Sequence, residues 1–238
     1  LQQFLPILTK YTPDTDVEII VADNASTDSS LQVMKDYFPA IRTIVLDRNY
    51  GFAGGYNKAL EQVDADYYVL LNSDVEVTDN WLSPMLNFMN ENENVAACQP
   101  KIRSYYNRAS FEHAGASGGF IDQYGFPFCR GRVVGTAEMD RGQYDTVIDV
   151  FWATGACLLI RSELYNQVGG LDDEFFAHME EIDLCWRLRS RNREIVCVPQ
   201  SIVYHVGELL LKKRILIRLF LISVIILSCS IRIFHRRS

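Results

Sequence analysis

The chain has 238 residues, 48% of them hydrophobic and 22% charged, with a formal net charge of −7. That length suits one globular domain with a real core, and an acidic balance with no basic stripe in the first two hundred residues argues against a nucleic-acid partner. The cysteines Cys98, Cys129, Cys157, Cys185, Cys197 and Cys229 are scattered, mostly in apolar runs. With no Cys-x-x-Cys pair they read as reduced core thiols and not as a zinc site, which fits a cytoplasmic compartment. The opening "LQQFLPILTK" has no Met, basic region or long apolar stretch, so the sequence reads as a fragment without a signal peptide.

In chain order, "LQQFLPILTKY" has the spacing of an amphipathic helix, and "VEIIVAD" (17–23) is a strand. "STDSSLQVMKDYF" opens on helix-starting residues. "IRTIVLDRN" (41–49) is a second strand, "AGGYNKALEQV" a second inter-strand helix, "DYYVLLNSD" a third strand and "DNWLSPMLNFMNEN" a further helix. Strand–helix–strand–helix–strand is the pattern of a parallel sheet covered by helices. "VAACQPKIRS" continues as a strand bent at Pro100. Residues 105–147, rich in Gly, Tyr, Phe and Arg, read as loops and hairpins over a cleft. A strand through Trp152, a Thr154-Gly155-Ala156 turn, a strand "CLLI" and a helix ending at Gly169-Gly170 follow. "HMEEIDLCWRLRSR" (178–191) is helical, and "IVCVPQSIVYHVG" (195–207) reads as two short strands.

The first three strands each end in a polar cluster: Asp23-Asn24, Asp47-Arg48-Asn49 and Asn72-Ser73-Asp74. In an open α/β sheet such tips lie side by side, and ligands bind in the crevice outside them. Acidic tips repel a bare anion, and a metal ion bridging them to a phosphate resolves the conflict. Gly51, Gly54 and Gly55, at a strand-to-helix joint, either let backbone approach a ligand or serve a tight turn and close packing.

In 178–191 the wheel makes Ile182, Cys185 and Leu188 the apolar stripe. Glu181 falls near its centre, where a carboxylate either costs desolvation or faces a cleft as a general base. Glu180 and Asp183 fall on the polar side, within reach of Arg187, and favourable interaction with the helix N-terminus accounts for them. His205, at the tip of the last strand, is either structural or a second metal ligand beside Asp74.

The segments "EIIVADNASTDSS", "NYGFAGGYNKAL", "YYVLLNSDVEV", "ATGACLLIRSELYNQVGGLDDEFFAHMEEIDLCWRLR" and "VYHVG" resemble, in order, the family 2 glycosyltransferases of the GT-A fold, particularly the rhamnosyltransferase-like branch. The resemblance implies a Rossmann-like, open, mixed and mainly parallel sheet with helices on both faces, over residues 1–207. It implies that Asp74 binds Mg2+ or Mn2+, with Asn72 departing from the Asp-x-Asp pattern. Asp23 would then lie by the nucleotide, with Asn24 beside it and Asn49 and Gly51 lining the pocket. His205 matches a late metal-coordinating His, and Glu181 takes the place of the catalytic base, with Glu180 and Asp183 as neighbouring acids. The implied reaction is inverting transfer from a nucleotide-diphospho-sugar to a saccharide or lipid-linked acceptor in bacterial surface polysaccharide synthesis, at the cytoplasmic face of the membrane. The family's usual first strand precedes the point where this sequence starts.

Residues 208–238, "ELLLKKRILIRLFLISVIILSCSIRIFHRRS", read as a membrane-associated segment or an out-of-frame peptide. Two other functional readings stand beside transfer: a nucleotidyltransferase of similar fold, and a non-catalytic remnant.

Overall fold

The computed structural model describes residues 1–12, 16–113, 115–133, 135–175, 178–207 and 221–227, the last segment as backbone alone. Helix α1 (Leu5–Tyr11) carries Pro6 in its first turn, where the missing N–H breaks no helical bond. Then come β1 (Val17–Asp23), α2 (Ser30–Tyr37), β2 (Arg42–Val45), α3 (Gly51–Leu60), β3 (Tyr67–Leu71), β4 (Val75–Val77), α4 (Ser83–Glu91) and β5 (Val95–Ser104). Two small hairpins follow, β6 (Gly119–Ile121) with β7 (Pro127–Cys129), and β8 (Arg132–Val133) with β9 (Thr136–Ala137). The chain returns through β10 (Ile148–Asp149), β11 (Cys157–Arg161), α5 (Ser162–Gln167), α6 (Glu180–Arg189), β12 (Glu194–His205) and β13 (Leu221–Leu227).

Among the described residues nine strands form one sheet in the order β10-β12-β5-β11-β3-β13-β1-β2, with β4 paired to β12 off that path. Strands β1, β2, β3, β5 and β12 share one direction; β11 and β13 run against their neighbours. The sheet is therefore mixed, and most ladders are antiparallel although the strands that lead into the site point the same way. Their C-terminal tips, at Asp23, Leu71 and His205, share one edge.

Side chains alternate across the sheet as the pleat requires. Val21, Val69 and Leu71 pack with Leu5 and Leu8 of α1, Met34 of α2, and Met85 and Met89 of α4. Ile20, Ala22, Tyr68 and Leu70 pack on the other side with Tyr56 of α3, Leu164 of α5, and Leu184 and Leu188 of α6. β3 is buried along its whole length, as its unbroken apolar run requires. The cysteines at 98, 129, 157, 185 and 197 are free and buried.

Three sequence expectations are corrected. Residues 195–207 hold one long strand, not two, because the Pro199 region is absorbed as a register shift between Val198 and Ile202 on the β5 side. No long strand runs through Trp152, which joins the structure by a single bridge to Gly119. Part of the apolar tail is a sheet strand: β13 lies antiparallel between β1 and β3, pairing Val17–Asp23 with Leu221–Leu227. The rest of 208–238 lies outside the described residues. Among the described residues no helix is long and apolar enough to cross a membrane.

Candidate active site

The tip of β1 supplies Asp23, almost fully buried. Its Oδ2 accepts a hydrogen bond from the Ser26 N–H at 3.0 Å, while its Oδ1 is buried without a hydrogen-bond partner among the described residues. A buried carboxylate oxygen in that state is costly unless a ligand completes it.

Asn24 behaves differently from its neighbour. It is fully buried, its Nδ2 donates to Asn49 Oδ1 at 3.0 Å and to the Gly51 carbonyl at 2.8 Å, and its Oδ1 accepts from the Tyr50 N–H at 2.9 Å. Asn49 Oδ1 also accepts from the Gly51 N–H at 2.8 Å. The expected pocket residues Asn24, Asn49 and Gly51 thus form a knot tying β1 to the start of α3. Gly51 has φ 73°, a left-handed conformation that glycine adopts without strain.

At the tip of β3, the Asn72 N–H bonds to the Ala156 carbonyl at 3.0 Å, and the Val75 N–H closes a turn onto the Asn72 carbonyl at 3.2 Å. Asp74 leaves that turn beside the end of β12. The antiparallel register sets His205 opposite Val75 and the Val206 N–H on the Asp74 carbonyl. As a result His205 Nε2 lies 3.2 Å from Asp74 Oδ1. The other ring nitrogen, Nδ1, is buried without a hydrogen-bond partner among the described residues and lies 3.7 Å from Glu112 Oε1. Burial pulls the imidazole pKa down, but the Asp74 and Glu112 carboxylates outweigh it and raise the value to about 10. Among the described residues no three His, Cys, Asp or Glu side chains gather into a metal cage. The pair Asp74 and His205 therefore offers one carboxylate and one imidazole, donors that suit a divalent ion whose remaining positions are filled by a ligand.

The helix acids come from α6. His178 and Met179 precede it with φ 73° and 76°, two successive left-handed non-glycine residues, each costing on the order of 1–3 kcal/mol. Met179 is the N-cap residue, at which α6 starts. The buried stripe of α6 is Leu184, Cys185 and Leu188, with Ile182 only partly covered. Glu180 shares the line of Leu184 and Leu188, so it points inward and is buried, not on the polar side as the wheel implied. Asp183 is on the polar side and pairs with Arg187 as expected.

Glu181 is partly covered, and its Oε2 is shielded from solvent without a hydrogen-bond partner among the described residues. Burial, reinforced by the negative charge of Glu180, pushes its carboxyl up to about 7. Burial also raises Glu180, opposed by His178. The Gly155 turn packs against this residue: a Cβ placed on Gly155 would meet the Glu181 Cβ at 3.8 Å and the Phe52 ring at 3.5 Å. The turn 154–156 thus links the two halves of the site, touching Glu181 through Gly155 and Asn72 through Ala156.

Three supporting residues left no mark in the sequence reading. Gln99, fully buried in β5, accepts from the Thr154 N–H at 3.0 Å and fixes that turn. Asn57 of α3 donates to the Leu171 carbonyl at 2.7 Å and accepts from the Leu171 N–H at 3.0 Å, holding the approach to α6. A polar residue inside the otherwise apolar face of "GFAGGYNKAL" was the available signal for Asn57. Glu112 sits in the 105–147 segment, which an ion pair from buried Lys101 to Asp140 at 3.0 Å pins to β5.

A helix-covered mixed sheet, with acids and a His–Asp pair gathered where the parallel strands end, defines a glycosyltransferase of the GT-A class. The chain belongs to glycosyl transferase family 2, whose model matches residues 1–169. It is 29% identical over 220 residues to the N-acetylglucosaminyl-diphospho-decaprenol L-rhamnosyltransferase of Mycobacterium tuberculosis, covering 86% of this chain and 71% of that one. It is 24% identical over 199 residues to the rhamnosyltransferase WbbL of Escherichia coli, covering 81% and 74%. Among solved structures, GalNAc-T7 with UDP, GalNAc and Mn2+ superposes with a TM-score of 0.67 at 14% identity, over 86% of this chain and 40% of that one.

Proposed function

We propose that the chain transfers a sugar, with inversion, from a nucleotide-diphospho-sugar to a hydroxyl of a lipid-linked saccharide in surface polysaccharide synthesis. The observation that carries this reading is the Glu181 Oε2, shielded and without a hydrogen-bond partner among the described residues, beside the 154–156 turn whose Ala156 carbonyl holds Asn72 at the strand tip that leads to the Asp74–His205 pair. The relatives' names, a rhamnosyltransferase acting on a decaprenol-linked amino sugar among them, support the acceptor class and a deoxyhexose donor.

Asp23 would receive the nucleoside through its unpartnered Oδ1, accepting from a donor group of the ribose or base. Asp74 and His205 would hold Mg2+ or Mn2+, which supplies charge neutralisation to the departing diphosphate. Glu181 would take the proton from the acceptor hydroxyl as its oxygen bonds to the anomeric carbon and the bond to the diphosphate breaks. Its pKa near 7 suits that work, since a base is most effective close to the operating pH.

The test is a panel of dTDP-, UDP- and GDP-sugars, with calorimetric binding and nucleotide release measured with Mn2+, with Mg2+ and with chelator. Metal-dependent binding of one donor, and its consumption only when a polyprenyl-linked saccharide is added, is the expected result. Failure of every donor to bind would overturn the reading.

A further inference from the structure

We infer that Glu112 is a positioning residue for the metal ligand His205, acting from the far edge of the imidazole. This rests on the metal-dependent reading above and adds to it a residue that no motif marks.

The ring of His205 has a carboxylate on each side. Asp74 Oδ1 faces Nε2 at 3.2 Å, and Glu112 Oε1 faces Nδ1 at 3.7 Å. Nδ1 is buried and has no hydrogen-bond partner among the described residues, so Glu112 provides the facing acceptor. Because the two carboxylates flank opposite nitrogens, Glu112 does not share an ion held at Nε2. Its place is that of the outer carboxylate that fixes a ligating histidine: it would hold the Nδ1 proton and leave Nε2, on the Asp74 side, for the ion.

Glu112 is held for this work. It is almost fully buried, and its N–H bonds to the Ile102 carbonyl at 3.1 Å, which moors it to β5 beside the strand that carries His205. The backbone also makes room for it. Gly207 has φ 56°, and a Cβ there would lie 2.4 Å from Glu112 Oε1. The glycine two residues after the histidine in "HVG" is thus explained by close approach of the carboxylate that orients the histidine. The 105–147 segment, read as a specificity loop, is in this way also part of the metal site.

The experiment measures Mn2+ affinity of the full chain, with Mn2+ alone, from loss of the free-ion electron paramagnetic resonance signal. Glu112→Ala should weaken binding by roughly 10–100-fold, the range for removing an outer carboxylate of a ligating histidine. Glu112→Gln, which keeps an acceptor oxygen, should recover part of the loss, and Gly207→Ala should reproduce it. A double-mutant cycle separates positioning from structure: in a His205→Ala background, Glu112→Ala should have no further effect. Unchanged affinity in Glu112→Ala overturns the inference alone. So does an equal loss with and without His205, whether or not the variant melts lower. No Mn2+ binding by the unaltered chain would overturn the metal-dependent reading and this inference with it.

Discussion

Asp183 is tied to Arg187 one helical turn on: the arginine Nε donates to Asp183 Oδ2 at 2.8 Å, and its Nη2 lies 2.6 Å from the same oxygen. Arg187 is fixed in turn by donating to the Val168 carbonyl at 2.7 Å. An acid clamped this way already spends that oxygen on the guanidinium, whereas Glu181 Oε2 has no hydrogen-bond partner among the described residues. Glu181→Gln should therefore cut transfer by ~10²–10⁴ while donor affinity is kept, and Asp183→Asn should retain most of the rate. Steady-state kinetics with donor binding measured separately decide the point. A dead Asp183→Asn with an active Glu181→Gln would reverse the assignment.

The same carboxyl governs two pH dependences. As the base, Glu181 must be deprotonated, so the transfer rate should rise with pH through about 7 and then level off. Folding is linked with the opposite sign. A carboxyl raised from 4.5 to about 7 binds more protons folded than unfolded, so stability falls as pH rises between those values. Glu181→Gln removes that penalty. It should melt above the unaltered chain by at least ~2 °C at pH 8, with the gap closing toward pH 5. Thermal scans across that range, showing parallel curves for the two proteins, would reject the buried-acid account.

Asp74 lies at a turn with part of its side chain open, so its removal should cost function before fold. Asp74→Ala is expected to abolish metal-dependent donor binding by calorimetry while leaving the circular dichroism spectrum intact. Metal-dependent binding equal to that of the unaltered chain would remove Asp74 from the site.

Local signals are legible in the sequence and distant ones are not. β1 and β5 fall at the expected residues, 17–23 and 95–104, because each holds an apolar run, Ile20–Ala22 and Val95–Cys98, that the sheet buries on both faces. The polar tips at Asp23 and Asn72–Asp74 were visible because a charge at the end of such a run needs a reason. Glu180 was misplaced because the wheel was anchored on Ile182, whereas packing turns α6 so that Leu184 and Leu188 face inward. Glu112 was invisible: it has no periodic neighbours, and its meaning lies in a histidine 93 positions further along the chain. The single strand β12 was hidden by Pro199, which a sheet tolerates at an irregularity.

The tail gives the sharpest physical test. Read alone, 208–238 is an apolar, basic segment with nothing in common with the domain before it. Yet Leu221–Leu227 pairs with the whole of β1 on one side and with Tyr67–Leu71 on the other. Remove it, and two apolar strands in the middle of the sheet lose their shared neighbour, leaving rows of unpaired N–H and C=O groups that are costly to bury and prone to pair with other chains. A chain ending at Gly207 should therefore melt lower and form larger species by size-exclusion chromatography with light scattering. Adding back a seven-residue apolar strand at that place should reverse both effects, whichever direction it runs, because either orientation satisfies the exposed backbone. If the shortened chain stays monomeric and melts with the full one, β1 and β3 close on each other without a third strand, and β13 contributes nothing to stability.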